Sequence, residues 1–502
     1  MGQSIGTEVS QATAEIGGIE NQIEAALDWL RPELLKLAQA LRGGPLTPVV
    51  FFQFELNLVR LLRDFGRLLL ERLLNEQEGD GHLLPHDVMY AGQGYRRLGK
   101  KTRNAHVATL FGSICLWRFG YRFWEPWVKE SSIFPLELQL GLIAGATPAL
   151  ADVIGRRMAE AGATQQRVLR QLQEEQGVSM GVKRLRKLVA ALSTGMSEHR
   201  QAAQVEALLT ALRTADASRG NRKPVLAVGR DGITLCEYRY RFWEVATTAT
   251  VTVFDRAGKR LATVYLAFRP ELGQATMSRM LTDLLTEVLR QWQGPLPTLA
   301  YVADSGGQES SYFEDVLAAM RHPRTGQRLS WQRVVDFYHA AARVWTMGEA
   351  LFGKNTFGCR RWVRRMLHAL KRKRRGAKRV LHSAASLAAR CKLDKSRAEE
   401  FRKAYNYLRK RTHWMRYSEY KTRHIPLGSG ITEAACKTVY TQRLKQSGMR
   451  WTRDGAQQIL ALRTAFLSRI WDTAYARLLA TSEAAIPTPY AVKRPENVRI
   501  AA

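Results

Sequence analysis

Apolar residues recur at three- and four-residue steps over 19–41 (Ile23, Ala26, Leu30, Leu34, Leu37) and again, more densely, over 49–76, which predicts two amphipathic helices. Gly43-Gly44-Pro45 breaks the chain between them. The texture then changes. Two apolar stretches, 106–110 and 114–119, flank Phe111-Gly112-Ser113 and read as a hairpin. Helical periodicity returns in three short runs, 148–161, 164–175 and 179–192, divided by Ala161-Gly162-Ala163 and Gly177. The polar linker Ala217-Ser218-Arg219-Gly220-Asn221 precedes a different alternation. Strands are expected at 224–229, 245–254 and 261–268, the last two joined by Asp255-Arg256-Ala257-Gly258. A helix at 277–292, a strand at 298–303, a helix at 310–320, a short strand at 333–335 and a helix at 337–351 follow. Three strands, helix, strand, helix, strand, helix is the order of a ribonuclease H-like layout, in which an antiparallel meander continues into parallel strands wrapped by helices.

The 502 residues suffice for about three domains, each able to bury its own core. A hydrophobic fraction of 45% is ordinary for a globular chain, and Asp and Arg interrupt even the apolar run 49–73, so no membrane span is expected. Met1-Gly2-Gln3-Ser4 lacks the basic and then apolar start of an export signal. Cys115, Cys236, Cys359, Cys391 and Cys436 are far apart, with no C-x-x-C pair, which argues against a disulfide framework or a zinc knuckle and fits a reducing cytoplasm.

Charge changes the picture more. The formal net charge is +32, and most of that surplus is regional: residues 351–425 hold 24 Lys and Arg against 4 Asp and Glu. Between Lys354 and Arg379 there are twelve bases and no acid, among them Arg360, Arg361, Arg364, Arg365, Lys371, Arg372, Lys373, Arg374 and Arg375. Such density calls for a polyanion, and counterion release from phosphates supplies strong, salt-sensitive and sequence-independent affinity. Trp362, Tyr405, Tyr407, Trp414, Tyr417 and Tyr420 are interleaved with these charges and suit either base stacking or helix packing. The three helices over 148–192, with Lys183, Arg184, Arg186 and Lys187 in the last, resemble a helix-turn-helix whose final helix would enter the major groove.

Two aspartates fall where strands of an open sheet converge on one crevice. Asp231 is expected to end the first strand in Val228-Gly229-Arg230-Asp231-Gly232, and Asp304 the fourth in Tyr301-Val302-Ala303-Asp304-Ser305-Gly306. Neighbouring carboxylates repel unless cations bridge them, and hard oxygen ligands select two Mg²⁺ ions, with Mn²⁺ able to substitute. A third acid is either Asp336, 32 residues after Asp304, or Glu433, 129 after it and beyond the basic stretch. Asp336 is equally a helix N-cap, and Glu433 equally a residue reaching back to a Gly430 cap. His339 stands three residues after Asp336, on the same helix face, where it would contact phosphate or assist proton transfer.

The motif Pro426-Leu427-Gly428-Ser429-Gly430-Ile431-Thr432-Glu433-Ala434-Ala435-Cys436-Lys437, with Arg443-Leu444, Ser447-Gly448-Met449-Arg450-Trp451, Leu460-Ala461-Leu462-Arg463 and Asp336-Phe337-Tyr338-His339, resembles bacterial insertion-sequence DDE transposases. The likeness is to the Kra-type branch, distantly similar to Mutator-like elements, and covers roughly residues 225–470. One departure is Asp304-Ser305-Gly306, where family members usually carry Asp-Gly. The resemblance implies that Asp231, Asp304 and Glu433 are the catalytic, metal-holding acids, which ranks Glu433 above Asp336. It implies DNA cleavage at the element's ends and joining of the 3′-OH to target DNA, in the bacterial cytoplasm on the nucleoid, by a homodimer or higher oligomer. The 19–78 helices are a possible subunit interface, and Arg450-Trp451 a candidate to stack on a flipped base. Rival readings are a ribonuclease H-like structure-specific nuclease and a non-enzymatic DNA-binding regulator derived from a transposase.

The expectation is therefore an α+β multidomain protein with a helical N-terminal DNA-binding region and a ribonuclease H-like α/β core interrupted by a basic helical insertion. Its parts are a helical region (1–80), a small hairpin region (81–145), a helix-turn-helix-like region (146–220), the first part of the core (221–350), the insertion (351–425), the completion of the core (426–480) and a tail (481–502).

Overall fold

A computed structural model describes residues 3–489 except 79, 83, 125–131, 237–242 and 305, with side chains from residue 18 to 487 apart from those positions, 236 and 484. Met1-Gly2, Ser305 and most of the 481–502 tail fall outside the described residues. The chain is an α+β protein that divides into two compact units, Met1–Met158 with Ala163–Gly195 and Tyr475–Ala502, and Ala159–Gly162 with Met196–Ala474. No helix among the described residues is long and apolar enough to cross a membrane.

In the first unit, α1 (Gln3–Arg42) and α2 (Pro48–Glu76) form the expected pair, folded back so that Gln22 bonds both Arg72 and Glu76. Pro48 opens α2 and Thr47 caps it through Val50 N–H. The hairpin is longer than its apolar stretches suggested, because polar and basic residues continue both arms: β2 (Gln93–Thr109) pairs with β3 (Gly112–Phe123), and β1 (Asp87–Tyr90), which the sequence reading did not foresee, lies beside β2. The short strand Thr488–Pro489 completes this four-stranded sheet at its edge. Helices α3 (Pro135–Gln139), α4 (Pro148–Ala159) and α5 (Gln165–Gln176) follow, α5 closing on Gly177 at φ 66° as a left-handed cap. The third helix of the expected helix-turn-helix is corrected: instead of ending at 192 it is the opening of a 35-residue helix, α6 (Val182–Asp216). Gly195, inside this helix, is a packing residue, since a Cβ there would sit 2.6 Å from a Leu478 methyl.

The second unit is built on a five-stranded sheet. β4 (Val225–Cys236), β5 (Trp243–Phe254) and β6 (Arg260–Phe268) form an antiparallel meander; β7 (Thr298–Ala303) and β8 (Trp331–Val335) run parallel to β4. The order is β6-β5-β4-β7-β8. Alternation along the central strands feeds two cores. Leu226, Val228, Leu299 and Tyr301 face the cluster formed with the end of α6 and with α7 (Ala275–Gln291). Val225, Ala227, Ala300 and Val302 face the opposite cluster, formed with α9 (Phe337–Phe352), α10 (Phe357–Arg372), α11 (Gly376–Ala388) and α12 (Lys395–Arg411). Between β7 and β8 lies α8 (Gly307–Ser311), which widens into a π-turn at Tyr312–Leu317. The unit closes with α13 (Tyr417–Thr422), α14 (Gly430–Ala435), which runs into a π-turn at Cys436–Thr441, and α15 (Arg453–Leu467); α16 (Trp471–Ala484) leads back to the first unit.

The basic stretch is thus a helical packing unit with a charged outer face. On α10, Cys359, Trp362, Val363, Met366 and Leu370 are buried, while Arg360, Arg361, Arg364 and Arg365 are exposed. Its aromatic residues belong to the core: Trp362, Tyr417 and Tyr420 are buried, and Tyr405, Tyr407 and Trp414 pack against them. Helix packing, not stacking on bases, accounts for these six rings.

Candidate active site

Asp231 does not end its strand, as the sequence reading expected, but lies within β4; what stops before it is the parallel pairing with β7, which covers only Val225 to Val228. Beyond that point β4 continues in the antiparallel meander, with Asp231 opposite Thr248 of β5, and past Gly232 as a two-stranded arm with β5. The carboxylate therefore stands at the edge where the parallel sheet opens. Its Oδ1 accepts from Gly232 N–H at 2.8 Å and its Oδ2 from the Cys436 thiol at 3.3 Å. Asp304 follows the last residue of β7, its Oδ1 accepting from Gly306 N–H at 2.8 Å, while Tyr407 OH donates to its carbonyl at 2.9 Å.

Glu433 reaches this edge because the Gly428-to-Lys437 segment packs on the sheet at a point where only glycine fits. A Cβ on Gly229 would come 2.0 Å from Thr432 Oγ1 and 3.1 Å from Thr432 Cβ. Thr432 is buried and shares a 2.7 Å hydrogen bond with Thr250 Oγ1 on the neighbouring strand. Tyr440 anchors the far end of the segment by donating to the Thr247 carbonyl at 2.6 Å and the Phe268 carbonyl at 2.9 Å. Glu433 and Cys436 are three residues apart on one helical surface, so the thiol bonded to Asp231 marks where the glutamate stands.

The three predicted acids share one electrostatic neighbourhood. Burial lifts the Asp231 carboxyl above its ordinary range of 3.8, the Gly232 and Cys436 hydrogen bonds oppose that, and the charges of Asp304 and Glu433 raise it further. A fourth acid that the sequence reading missed, Glu309 on α8, is also raised, by burial first and then by Asp304 and Asp231. Its carboxylate and that of Asp304 both lie within 3.3 Å of the position a Cβ on Gly306 would occupy. Burial and Asp231 together hold the Cys436 thiol protonated, as its donor role requires.

Asp336 behaves differently. It is fully buried at the N-cap of α9, where Oδ1 accepts from Tyr338 N–H at 2.6 Å and His339 N–H at 2.9 Å, and Oδ2 accepts from both Ser429 N–H and Ser429 Oγ. All four acceptor positions of the carboxylate are used. Ser429 Oγ also lies 2.7 Å from Glu433 Oε1, and His339 Nε2 is 3.4 Å from the same oxygen, with both side chains about half exposed (46% and 48%). Asp336, His339 and Glu433 offer ligand atoms within 4.8 Å of one another, a grouping that could hold a metal ion. Since Asp336 is already saturated, its part is to position Ser429 and His339 about Glu433.

No family model matches the chain. Over 225 residues it is 25% identical to a protein of Streptococcus gallolyticus described as "UPF0236 protein in vanSb 3′ region". The alignment covers 44% of each chain, so this protein spans less than half the length of the curated relative it matches.

The basic candidates divide by exposure. Arg360, Arg361, Arg364, Arg365, Arg372, Lys373, Arg374 and Arg375 face solvent; Lys371 is half-buried, 5.0 Å from the Phe337 ring centre. On α6, Lys183, Arg186 and Lys187 are exposed, whereas Arg184 is half-buried and donates to the Gly145 carbonyl at 2.8 Å and to the His106 carbonyl, a structural use rather than a free cation. Arg450 is exposed and Trp451 half-buried, its indole N–H donating to the Leu444 carbonyl at 2.9 Å. Of the residues the sequence reading missed, Cys436 and Ser429 were inside the quoted motif, where residue type alone did not distinguish a thiol or hydroxyl holding a carboxylate from helix packing or a turn. Glu309 had only its position, five residues after Asp304, to signal it.

Proposed function

We propose that this protein is a DDE transposase with a ribonuclease H-like core, which binds the ends of its insertion sequence, cleaves them and joins the 3′-OH ends to target DNA. The reading is carried by one observation: Asp231 within β4, Asp304 after the end of β7 and the α14 segment of Glu433, which is tied to Asp231 through the Cys436 thiol, meet at the open edge of the sheet although 129 residues separate Asp304 from Glu433. The strand order, a three-stranded antiparallel meander followed by two parallel strands, supports the ribonuclease H-like layout. The partial likeness to the Streptococcus gallolyticus protein is compatible with it.

Asp231, Asp304 and Glu433 would hold divalent metal, and the donors fit, since their carboxylate oxygens are hard ligands at one edge of the sheet. Mg²⁺, with Mn²⁺ as a substitute, would supply Lewis acidity at phosphorus and a water more acidic than bulk. The protein's own share is positioning. Thr432 and Gly229 fix the distance between α14 and β4, Ser429 orients Glu433, and Cys436 holds Asp231. His339, half exposed beside Glu433, is placed to donate to a phosphate oxygen or to pass a proton at the cut. The exposed arginines of α10 and Lys373 to Arg375 grip phosphates, and Lys183, Arg186 and Lys187 on α6 supply a second basic surface on the first unit. Transposition requires two ends in one assembly. Val49, Phe52 and Val59 on α2, each more than half exposed, form the apolar surface through which a second copy would join.

The test is Asp231→Asn on a duplex carrying the element's terminal repeat, identified from inverted repeats in the genomic flanks. DNA binding persists and Mg²⁺-dependent nicking disappears; unchanged cutting overturns the assignment. Joined products separate a transposase from a nuclease that only hydrolyses, and wild-type protein that binds but never nicks is a regulator.

A further inference from the structure

The spacing of one nitrogen and one oxygen beside the acid edge distinguishes between kinds of metal. His339 Nε2 stands 3.4 Å from Glu433 Oε1, with both side chains about half exposed and so open to an ion and its water. Two ligands on one tetrahedral centre, with bonds of about 2.0–2.1 Å, lie about 3.4 Å apart, which is the spacing of an imidazole and a carboxylate on Zn²⁺. Adjacent ligands on octahedral Mg²⁺, with bonds of about 2.1 Å, lie only about 3.0 Å apart. Imidazole is also a donor that suits Zn²⁺ and other transition ions, whereas Mg²⁺ takes oxygen. Distance and donor type agree.

The hydrogen bonds around Glu433 call for positive charge at the same point. Ser429 Oγ lies 2.9 Å from Asp336 Oδ2 and 2.7 Å from Glu433 Oε1. A hydroxyl has one proton, so it donates to one of these carboxylates and turns a lone pair on the other. A metal ion on Glu433 resolves the conflict: it draws electron density from Oε1, and the Ser429 proton goes to Asp336. The oxygen that Asp336 offers is within 4.8 Å of the other two ligand atoms, but it is committed to the donors of Ser429, Tyr338 and His339. Asp336 therefore supports the site from behind, as outer carboxylates do at metal centres, and the two remaining tetrahedral positions are left for water.

We infer that His339 and Glu433 form a binding site for Zn²⁺ or a like transition ion, distinct in metal preference from the Asp231–Asp304 edge. The site stands on its own geometry; only its consequence for cutting rests on the transposase reading. There, an ion on these two side chains withdraws Glu433 from the Mg²⁺ set and His339 from phosphate and proton, which makes Zn²⁺ an inhibitor of the Mg²⁺-dependent reaction.

The test uses the full chain with Co²⁺ as the probe, because its visible absorption reports coordination geometry. The wild-type protein gives the intense band of a tetrahedral centre, which Zn²⁺ removes and a large excess of Mg²⁺ leaves in place. His339→Ala and Glu433→Gln lose the band while unfolding in urea like the wild type without metal, and Asp231→Asn retains it. A band that survives unchanged in His339→Ala, vanishes in Asp231→Asn or yields to an equal concentration of Mg²⁺ overturns the site. So does a near-ultraviolet thiolate transition, which would put the ion on Cys436, and so does a wild-type protein that binds no Co²⁺. In the nicking assay, Zn²⁺ at the concentration that removes the Co²⁺ band abolishes cutting in Mg²⁺, and undiminished cutting overturns the inhibitory role. A protein that never cuts in Mg²⁺ alone removes the transposase reading, and the absorption band then decides this inference by itself.

Discussion

Replacing Gly229 by Ala places a methyl group 2.0 Å from Thr432 Oγ1, 3.1 Å from Thr432 Cβ and 3.2 Å from the Val302 carbonyl. β4 cannot yield easily, because Gly229 is paired with Thr250 of β5 and the residues just before it are paired with β7. The helix must therefore back away by more than an ångström, and the 2.7 Å bond between Thr432 and Thr250 breaks with it. Overpacking of this kind costs about 1–3 kcal/mol. The effect on chemistry is larger than the effect on folding, since a shift of about 1 Å in a catalytic group lowers rates by about 100-fold. Urea unfolding and Mg²⁺-dependent nicking, run side by side, read both quantities, and DNA affinity in EDTA serves as the unperturbed control. Thr432→Ala added to Gly229→Ala removes the 2.0 Å clash and recovers part of the lost stability. Wild-type nicking by Gly229→Ala would refute the claim that this contact sets the position of Glu433.

Asp231→Asn stabilises the metal-free protein. The folded carboxyl binds its proton more tightly than the unfolded one, so its contribution is fully present below the unfolded value of 3.8 and is lost as pH rises through the raised folded value. Thermal melts in EDTA from pH 4 to 8 check this, and parallel curves for wild type and variant would contradict it. Ser429→Ala frees Glu433 and Asp336 from their shared hydroxyl and lowers nicking by about 10- to 100-fold with DNA affinity unchanged; full activity would remove the positioning role. Removing Arg360, Arg361, Arg364 and Arg365 together flattens the plot of log affinity against log salt by up to about 3.6, at about 0.9 per phosphate contact, and an unaltered slope would show that this face does not touch DNA. Glutamate at Val49, Phe52 and Val59 is expected to yield monomers by light scattering; a wild-type protein already monomeric with paired DNA ends would eliminate that surface.

The sheet of the second unit was legible because its strands are short apolar runs with clear turn signals, and β5 to β8 begin and end within two residues of their patterns. β4 ran seven residues further than its pattern because the strand beyond Gly229 is held by pairing with β5 rather than by a buried face. α6 runs well past its expected end at 192, and Gly195 inside it is a contact point in space. Asp231, Asp304 and Glu433 were singled out as candidates from residue type, expected strand position and a family likeness. The supporting residues were not, since a thiol or a hydroxyl that holds a carboxylate across 205 or 93 positions leaves no local trace.

That separation along the chain also has a temporal side. At a synthesis rate of about 5–20 residues per second, the 129 positions between Asp304 and Glu433 take about 6–26 s to emerge, and the helices α8 to α13 form in the interval. A nascent or prematurely terminated polypeptide would expose arginines to DNA yet lack its last acid, leaving a harmless binder. On the transposase reading, competence to cut would arrive only once the segment carrying Glu433 had emerged, a built-in delay between grasping nucleic acid and being able to sever it.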